Sequence, residues 1–141
     1  MRETLDADRY SELSYYTLAH TSKDFIHQHF VDVYTAQNAD ANSKPIAITF
    51  ALVGLYLLSE RGYTGRQVQQ VHMQMAKNKS VWPVFTLPEE RGNITIGDVL
   101  KIPGGKLRDE IIYKWCESVW QAYRDNHATV KRLMHIYIPN N

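Results

Sequence analysis

Two polar side chains of a predicted helix lie where the hydrophobic periodicity calls for apolar ones. The pattern predicts a helix over residues 22–37 with a broad apolar arc, and His29 and Gln37 fall inside that arc. Asp32 flanks the arc one turn from His29, and His27 lies at the opposite margin. The helix therefore directs a histidine and an amide toward the protein interior, with a carboxylate beside them.

A second predicted helix repeats this feature. The segment that follows Thr64 buries Val68 and Ala76, and His72 lies between them on the same face. Gln69 borders that face. A buried polar group needs a partner, which for histidine is a carbonyl, a carboxylate, a water molecule or a metal ion.

One interpretation of these positions is a metal-binding or acid/base centre. His29, Asp32 and His72 would be its ligands, with His27 or His20 as a further one. Imidazole and carboxylate suit a divalent ion such as Zn, Fe, Mn or Ni, and an open coordination position would activate water. Residues three apart on one helix can reach the same ion, as His29 and Asp32 would. This interpretation predicts a small metal-dependent or acid/base enzyme, for example a hydrolase.

The other interpretation is that His29 and His72 are core residues. Their rings would be held by hydrogen bonds to Asp32, Gln37 or Gln69. The chain contains neither an HExxH motif nor paired Glu-x-x-His motifs. The pattern therefore favours the structural interpretation over the catalytic one.

The turn at residues 61–66 is a candidate site for a small anionic ligand. Thr64 starts a helix, and the free N–H groups and dipole at a helix start attract anions. Gly65 lets a ligand approach, and Arg66 would make bidentate contacts. The alternative is an ordinary helix–helix turn capped by Thr64, because the segment lacks the length and the lysine of a P-loop.

Composition and charge exclude several classes of protein. With 141 residues the chain predicts a single helical domain over 1–141. Hydrophobic residues make up 44%, which excludes disorder of the charged, weakly hydrophobic kind. Sixteen Lys and Arg against fifteen Asp and Glu give a net charge of +1, so we expect no nucleic-acid partner. A single cysteine, Cys116, excludes an internal disulfide and a cysteine-rich zinc site.

No segment has the pattern of a targeting or membrane-spanning sequence. The first eight residues are polar and acidic, unlike a signal peptide. The longest apolar run, 46–58, is shorter than the roughly 20 residues that span a bilayer. We therefore expect a cytoplasmic protein with no membrane partner.

The coarse pattern predicts an all-α fold, a compact bundle of about five or six helices around a central apolar helix at 44–60. That helix is apolar almost all round, which is typical of a helix covered by neighbours. No stretch alternates with a period of two residues. The predicted helices are 9–20, 22–37 with Ser22 as N-cap, 44–60 with Ser43 as N-cap, 64–78 with a Thr64–Gln67 capping box, 96–101, and one from 106 that continues to about 133 or breaks near Asn126.

The irregular stretch 79–94 offers a surface for a partner. Trp82 and Phe85, with Tyr63, would form an exposed apolar patch, and a second copy of the chain is one partner that such a patch could bind. The alternative is that Trp82 and Phe85 fold back on the core and hold this long loop in place.

Several strings in the chain resemble a family of small soluble bacterial proteins that is a domain of unknown function. The resemblance lies in residues 25–32 (FIHQHFVD) with Gln37, in residues 62–72 (GYTGRQVQQVH), in Trp82-Pro83 and in residues 115–120 (WCESVW). It covers residues from about 13 to 120. Many members of that family carry a Cys-x-x-Cys pair ahead of these strings. This chain has no such pair, so a metal ion bound by those cysteines is absent here.

The resemblance implies no activity. It places His27, His29, Asp32, Arg66 and His72 within the matching strings. The sequence thus leaves the function unknown, favours a non-enzymatic helical domain with core histidines, and keeps the metal-dependent or acid/base enzyme as the alternative.

Overall fold

The chain folds into an all-α structure, as the periodicity predicts. The computed structural model describes residues 2–19, 24–78 and 81–138, and these residues form seven α-helices, one short 3-10 turn and no β-strand. No helix in this described part is long and apolar enough to cross a membrane. The helices are α1 (Arg2–Ala19), α2 (Ile26–Gln37), α3 (Pro45–Arg61), α4 (Gly65–Ala76), α5 (Ile96–Leu100), α6 (Lys106–Ala122) and α7 (His127–Tyr137), with the 3-10 turn at Arg124–Asn126.

Helix α3 is the most thoroughly covered element. Residues 51–57 are all buried, and α3 packs against α2, α4, α6 and α7. It begins at Pro45, whose missing N–H is harmless in a first turn, and its N-cap residue is Lys44 instead of the predicted Ser43. It ends before Gly62, which adopts a left-handed φ of 66° and donates its N–H to the carbonyl of Leu58. The central position of this helix in the bundle stays a prediction.

Helix α2 begins later than the sequence predicts. Phe25 has a left-handed φ of 51°, so the helix starts at Ile26 and not at the residue after Ser22. The predicted cap, Ser22, lies outside the described residues. Because the N–H of Gly65 donates to the carbonyl of Asp24, the start of α4 holds this bend in place. Helix α2 then packs against α1, α3, α4 and α6.

Helix α1 is longer than its apolar repeat indicates. It begins at Arg2, seven residues before the predicted start at 9. Residues 2–8 contain only Leu5 and Ala7 as apolar residues, so the sequence there lacks the apolar repeat from which a helix is predicted. Leu13, farther along, is fully buried against the rest of the structure.

The long C-terminal helical region breaks near Asn126, which is one of the two predicted alternatives. Helix α6 ends at Ala122, and α7 begins after the 3-10 turn. The Asn126 amide accepts a hydrogen bond from the N–H of Thr86 at 2.9 Å and donates one to the Thr86 carbonyl at 2.8 Å. The break therefore ties the end of α6 to the irregular stretch. It also brings the number of α-helices above the predicted five or six.

The capping box predicted from the sequence at Thr64 is confirmed, and the structure shows a second one at Thr95, where the sequence predicts the start of a short helix. Thr64 and Gln67 cap α4, and Thr95 and Asp98 cap α5, each through reciprocal side-chain and backbone hydrogen bonds. Both helices end earlier than predicted: α4 ends at Ala76 and α5 at Leu100.

Gln37 joins three parts of the structure. Its Nε2 donates to the carbonyls of Arg91 and Ile94 at 3.1 and 2.7 Å, and its Oε1 accepts from the Trp115 indole N–H at 2.9 Å. In return, the guanidinium of Arg91 donates to the carbonyls of Gln37 and Ala39 at the end of α2. The inward amide predicted at position 37 thus fixes the loop before α5 against α2 and α6.

Replacing Gln37 should therefore destabilise the whole fold. Gln37→Ala leaves the Trp115 N–H and the two loop carbonyls without their partner, and each unsatisfied group costs about 1–3 kcal/mol. We expect urea denaturation to show a loss of about 3 kcal/mol in the free energy of unfolding. Gln70→Ala removes an exposed glutamine of α4 and serves as the control, with an expected change below about 0.5 kcal/mol. Equal effects of the two changes would contradict the role assigned to Gln37.

Candidate functional site

The buried polar face of α2 contains the two residues on which the predicted centre depends. His29 and Asp32 are 2% and 3% exposed, and they lie three residues apart on this helix. The Oδ1 atom of Asp32 accepts a hydrogen bond from the Gln28 side chain at 3.1 Å. The thiol of Cys116 on α6 donates to the His29 carbonyl at 3.7 Å. The two predicted residues therefore lie between α2 and its neighbours, in the interior.

A glycine of α3 makes room for the Asp32 carboxyl. A Cβ atom at Gly54 would lie 1.8 Å from Asp32 Oδ2, far inside any allowed contact. The carboxyl therefore occupies the space that a side chain at position 54 would fill. This contact lets α2 and α3 approach closely.

Burial disfavours the charged form of each group in this buried cluster. Burial raises the pKa of Asp32 well above its usual value, and the hydrogen bond from Gln28 only partly opposes this. Burial lowers the pKa of His29 to about 4, against a smaller opposing effect of the Asp24 carboxylate. Burial likewise raises the pKa of the Cys116 thiol. Metal binding requires a deprotonated carboxyl or thiol, so the cluster disfavours a cation in this state.

Two buried atoms of the cluster lack a hydrogen bond. Among the described residues, neither His29 Nδ1 nor Asp32 Oδ2 has a partner. Most buried polar groups in proteins are paired, so each exception needs an explanation such as a bound water, an ion or a functional role. These two atoms are the strongest indication in the interior of something beyond packing.

His72 and His27 are held by other parts of the chain. The Nε2 atom of His72 on α4 lies 2.8 Å from the carbonyl of Phe50 on α3, to which it donates. Burial lowers the pKa of His72 to about 4, although this hydrogen bond opposes the shift. The Nδ1 atom of His27 lies 2.9 Å from the hydroxyl of Thr17 on α1. Each imidazole therefore joins two helices.

The predicted ligands thus have different surroundings. Across the part of the chain that the structure describes, no three His, Cys, Asp or Glu side chains are grouped so that they could hold one metal ion. His29 and Asp32 are both buried on α2, three residues apart, while His27 contacts α1 and His72 contacts α3. His20, the other predicted ligand, lies outside the described residues. A metal ion at His29 and Asp32 stays a prediction.

In the predicted anion-binding turn, the groups that would bind an anion already make contacts within the chain. The N–H of Thr64 donates to Gln67, and the N–H of Gly65 donates to the carbonyl of Asp24. The guanidinium of Arg66 stacks on the Phe25 ring, 4.4 Å from its centroid. These are the groups that an anion would use, so the turn serves to hold the start of α2. Anion binding by Thr64, Gly65 and Arg66 also stays a prediction.

Gly65 has a structural role that its sequence context does not reveal. A Cβ atom there would lie 1.8 Å from the carbonyl oxygen of Phe25 and 2.7 Å from that of Asp24. Both neighbours are backbone atoms and cannot move away cheaply. Phe25 itself adopts the left-handed conformation, which is rare for a bulky residue and is strained. The close approach of α4 stabilises this strained bend.

The apolar surface patch differs from the predicted one. Phe85 is buried, and Tyr63 lines a separate groove with Gln67 and Tyr137. Within residues 81–94 the strongly exposed apolar side chains are instead Val81 and Val84, which are 99% and 87% exposed. They flank Trp82, whose ring packs edge-on against Phe50 with 5.5 Å between the centroids. We call Val81, Trp82 and Val84 the Val81–Val84 ridge.

Sequence reasoning missed the partners of the inward polar groups. Thr17, Phe50 and Gly54 each determine the environment of a predicted site residue, yet none belongs to a recognisable motif. The contact at Phe50 uses a backbone carbonyl, which every residue type has, so the sequence gives no sign of it. The Gly at position 54 within an apolar helix was the one available signal of a close approach.

Comparisons with known proteins identify a family but no activity. A family model described as a family of unknown function (DUF5946) matches residues 7–124. No curated protein and no solved structure gives a significant match.

The protonation of the Asp32 carboxyl can be tested by its effect on how the free energy of unfolding depends on pH. Since the pKa of Asp32 is raised in the folded protein, the folded state holds this proton more tightly than the unfolded state. This contribution to stability is present at acid pH and is lost as the pH rises from the unfolded pKa, near 4, toward the folded one. Asp32→Asn keeps an uncharged side chain at every pH. Relative to wild type it should gain up to about 1.4 kcal/mol per pH unit in that range.

The measurement is urea denaturation of both proteins from pH 3 to pH 8. At pH 3 the two side chains are both neutral, so the difference in unfolding free energy there is the internal reference. The difference should then grow in favour of Asp32→Asn. A difference that shrinks or reverses with rising pH would mean that Asp32 is charged and paired in the folded state.

Proposed function

The chain belongs to DUF5946, a family of unknown function, and on that premise we propose that it acts by binding and not by catalysis. We infer that it is a non-enzymatic helical interaction domain. Its inward histidines, Asp32 and Gln37 position the helices, and its binding surface is the Val81–Val84 ridge. The partner is a second copy of the chain.

The proposal is supported by the polar side chains of the interior, most of which already make hydrogen bonds within the protein. The imidazoles of His27 and His72 are each held by another helix, and the Gln37 amide makes three hydrogen bonds. Such groups cannot bind or transfer a proton to a substrate without breaking the contacts that hold the fold. Burial also lowers the pKa of His29 to about 4 and raises that of Asp32, so it disfavours the charged form of both side chains.

The single observation that carries the proposal is the exposure of the Val81–Val84 ridge. Val81 and Val84 are almost fully exposed, while Trp82 between them is fixed against Phe50. Exposed apolar side chains beside an aromatic ring that packs on the protein are a feature of interaction surfaces. Ordering such a surface on binding costs little, because the Trp82 side chain already has its position.

A second copy fits this ridge for reasons of charge and symmetry. The net charge of +1 produces little repulsion between two copies. A twofold axis through the ridge would place the same apolar side chains of both copies opposite each other, which is how an isologous interface forms. The proposal therefore predicts a homodimer.

Sedimentation equilibrium over a range of protein concentrations tests this association. We expect wild type to convert from monomer to dimer as its concentration rises. The Val81→Asp/Val84→Asp variant should stay monomeric, because the dimer would bury four carboxylates. Leu107→Asp, at a 69% exposed position of α6, is the matched control and should dimerise like wild type. A monomeric wild type, or equal loss of association in the control, would contradict the proposal.

A second candidate function rests on the two unpartnered atoms of the interior. His29 Nδ1 and Asp32 Oδ2 lack hydrogen bonds among the described residues, and both are atoms that ligate divalent ions. This observation favours the metal-dependent or acid/base enzyme, with His72 as a further participant. Because the carboxyl would have to lose its proton when a metal binds, this function requires a rearrangement of the buried cluster.

Elemental analysis of untagged protein separates the two candidates. The interaction domain should contain no stoichiometric metal, and added Zn, Mn, Fe or Ni should not raise its melting temperature. His29→Ala should then cost about 1–3 kcal/mol of stability through lost contacts alone. Near-stoichiometric metal in wild type that disappears in the His29→Ala/His72→Ala variant would establish the metal site instead.

The proposal includes a cytoplasmic location and no nucleic-acid partner. The only cysteine of the sequence, Cys116, is a buried free thiol, which suits a reducing compartment. The near balance of charges supplies no overall attraction to a polyphosphate backbone.

A further inference from the structure

We propose that a groove between α3 and α7 binds a small phosphate-bearing anion. The groove has a volume of about 270 Å³, which is slightly below the range of drug-sized ligand pockets. Its lining side chains come from the last turns of α3 and from one face of α7. They are Tyr56, Glu60, Arg61, Lys131 and His135.

Cationic side chains outnumber carboxylates at this place, with Arg61 and Lys131 against Glu60 in the groove lining. Helix α7, with the sequence HATVKRLMHIY, contains Lys131, Arg132 and two histidines but no carboxylate. This is a local excess in a chain whose net charge is only +1. Lys131 and His135 are four residues apart, so they extend from the same face of α7. Arg61, the last residue of α3, lines the groove from the opposite side.

Glu60, the carboxylate in the groove lining, is already bound within the protein. One of its oxygens accepts a hydrogen bond from the Trp120 indole N–H at 2.8 Å. The other lies 3.2 Å from the Lys131 ammonium. Its charge is therefore compensated, and it fixes Lys131 at the edge of the groove. Because Trp120 is fully buried, its hydrogen bond attaches the Glu60 side chain to the core.

The donors in this groove define the class of ligand. Arg61 supplies a planar guanidinium, Lys131 an ammonium and His135 an imidazole N–H. Donors that surround a small volume from two helices match the several oxygens of a tetrahedral phosphate better than the two oxygens of a carboxylate. The ligand class is therefore a phosphomonoester or inorganic phosphate.

The site shares Arg61 with the turn at 61–66 where the sequence predicts anion binding, but its other two donors, Lys131 and His135, come from α7. That turn contains Arg66, whose guanidinium stacks on Phe25, and backbone N–H groups that donate within the chain. The groove uses side chains of α3 and α7 instead, and none of its donors is a backbone N–H of that turn. The groove shares no residue with the Val81–Val84 ridge, so a result that contradicts one proposal does not affect the other.

Titration with inorganic phosphate, followed by ¹H–¹⁵N NMR at constant ionic strength, tests the proposal. The Trp120 indole N–H signal reports on the groove, because this group donates to Glu60. Wild type should show a saturable shift of that signal. The Lys131→Gln/His135→Gln variant should bind phosphate at least about tenfold more weakly, because an uncharged amide replaces the Lys131 ammonium and the His135 imidazole is removed.

Arg132→Gln is the matched control for the loss of charge. Arg132 lies on the same helix, is exposed and contacts Thr129, and it is not among the groove-lining residues. Its phosphate affinity should stay within about twofold of wild type. Equal weakening by this change would show a non-specific effect of charge and would overturn the site.

Three further results would also overturn the proposal. They are a shift that does not saturate, an equal shift with chloride at the same ionic strength, and a double variant that binds like wild type. Glycerol 3-phosphate and vesicles containing phosphatidic acid distinguish the two sources of the phosphate group. Saturable binding of soluble glycerol 3-phosphate supports a small ligand, and binding to vesicles alone would contradict it.

Discussion

The close approach of α2 to α3 is the constraint on which the rest of the structure depends. It requires a glycine at position 54, because the Asp32 carboxyl occupies the space where a Cβ atom would be. The carboxyl is enclosed as a result, and enclosure without a cationic partner raises the pKa of Asp32. The raised pKa of this residue is thus a consequence of packing. Any charge placed there would have to be paired or expelled.

The position of α2 in turn determines the contacts of its other polar residues. His27 reaches Thr17 on α1, and Gln37 reaches the loop before α5 and Trp115 on α6. Each of these contacts has a direction, unlike apolar packing, so together they exclude rotation or sliding of α2. The strained bend at Phe25 fits this picture, because α4 holds the start of the helix while Gln37 holds its end.

The sequence reveals which polar residues face inward but not what they meet. Helical periodicity places His29, His72 and Gln37 on buried faces, and the structure confirms burial of His29 and internal hydrogen bonds for the other two. The capping boxes of α4 and α5 are equally predictable, because they involve residues three apart. The partner of His72 is a backbone carbonyl twenty-two positions away, which any residue type could supply. The left-handed Phe25 is not predictable either, because only the tertiary contact with Gly65 makes that conformation tolerable.

The difference between the interior and the surface explains where this fold can bind another molecule. Inside, polar groups are neutral and largely paired, and a ligand would have to displace contacts that hold helices together. At the surface, the α3–α7 groove combines exposed cations with a fixed wall. Glu60 is anchored by the buried indole of Trp120, on which the ring of His127 stacks with 3.6 Å between the centroids. A wall that is already ordered loses little conformational entropy when a ligand binds, so even a small ligand with few contacts can be held there.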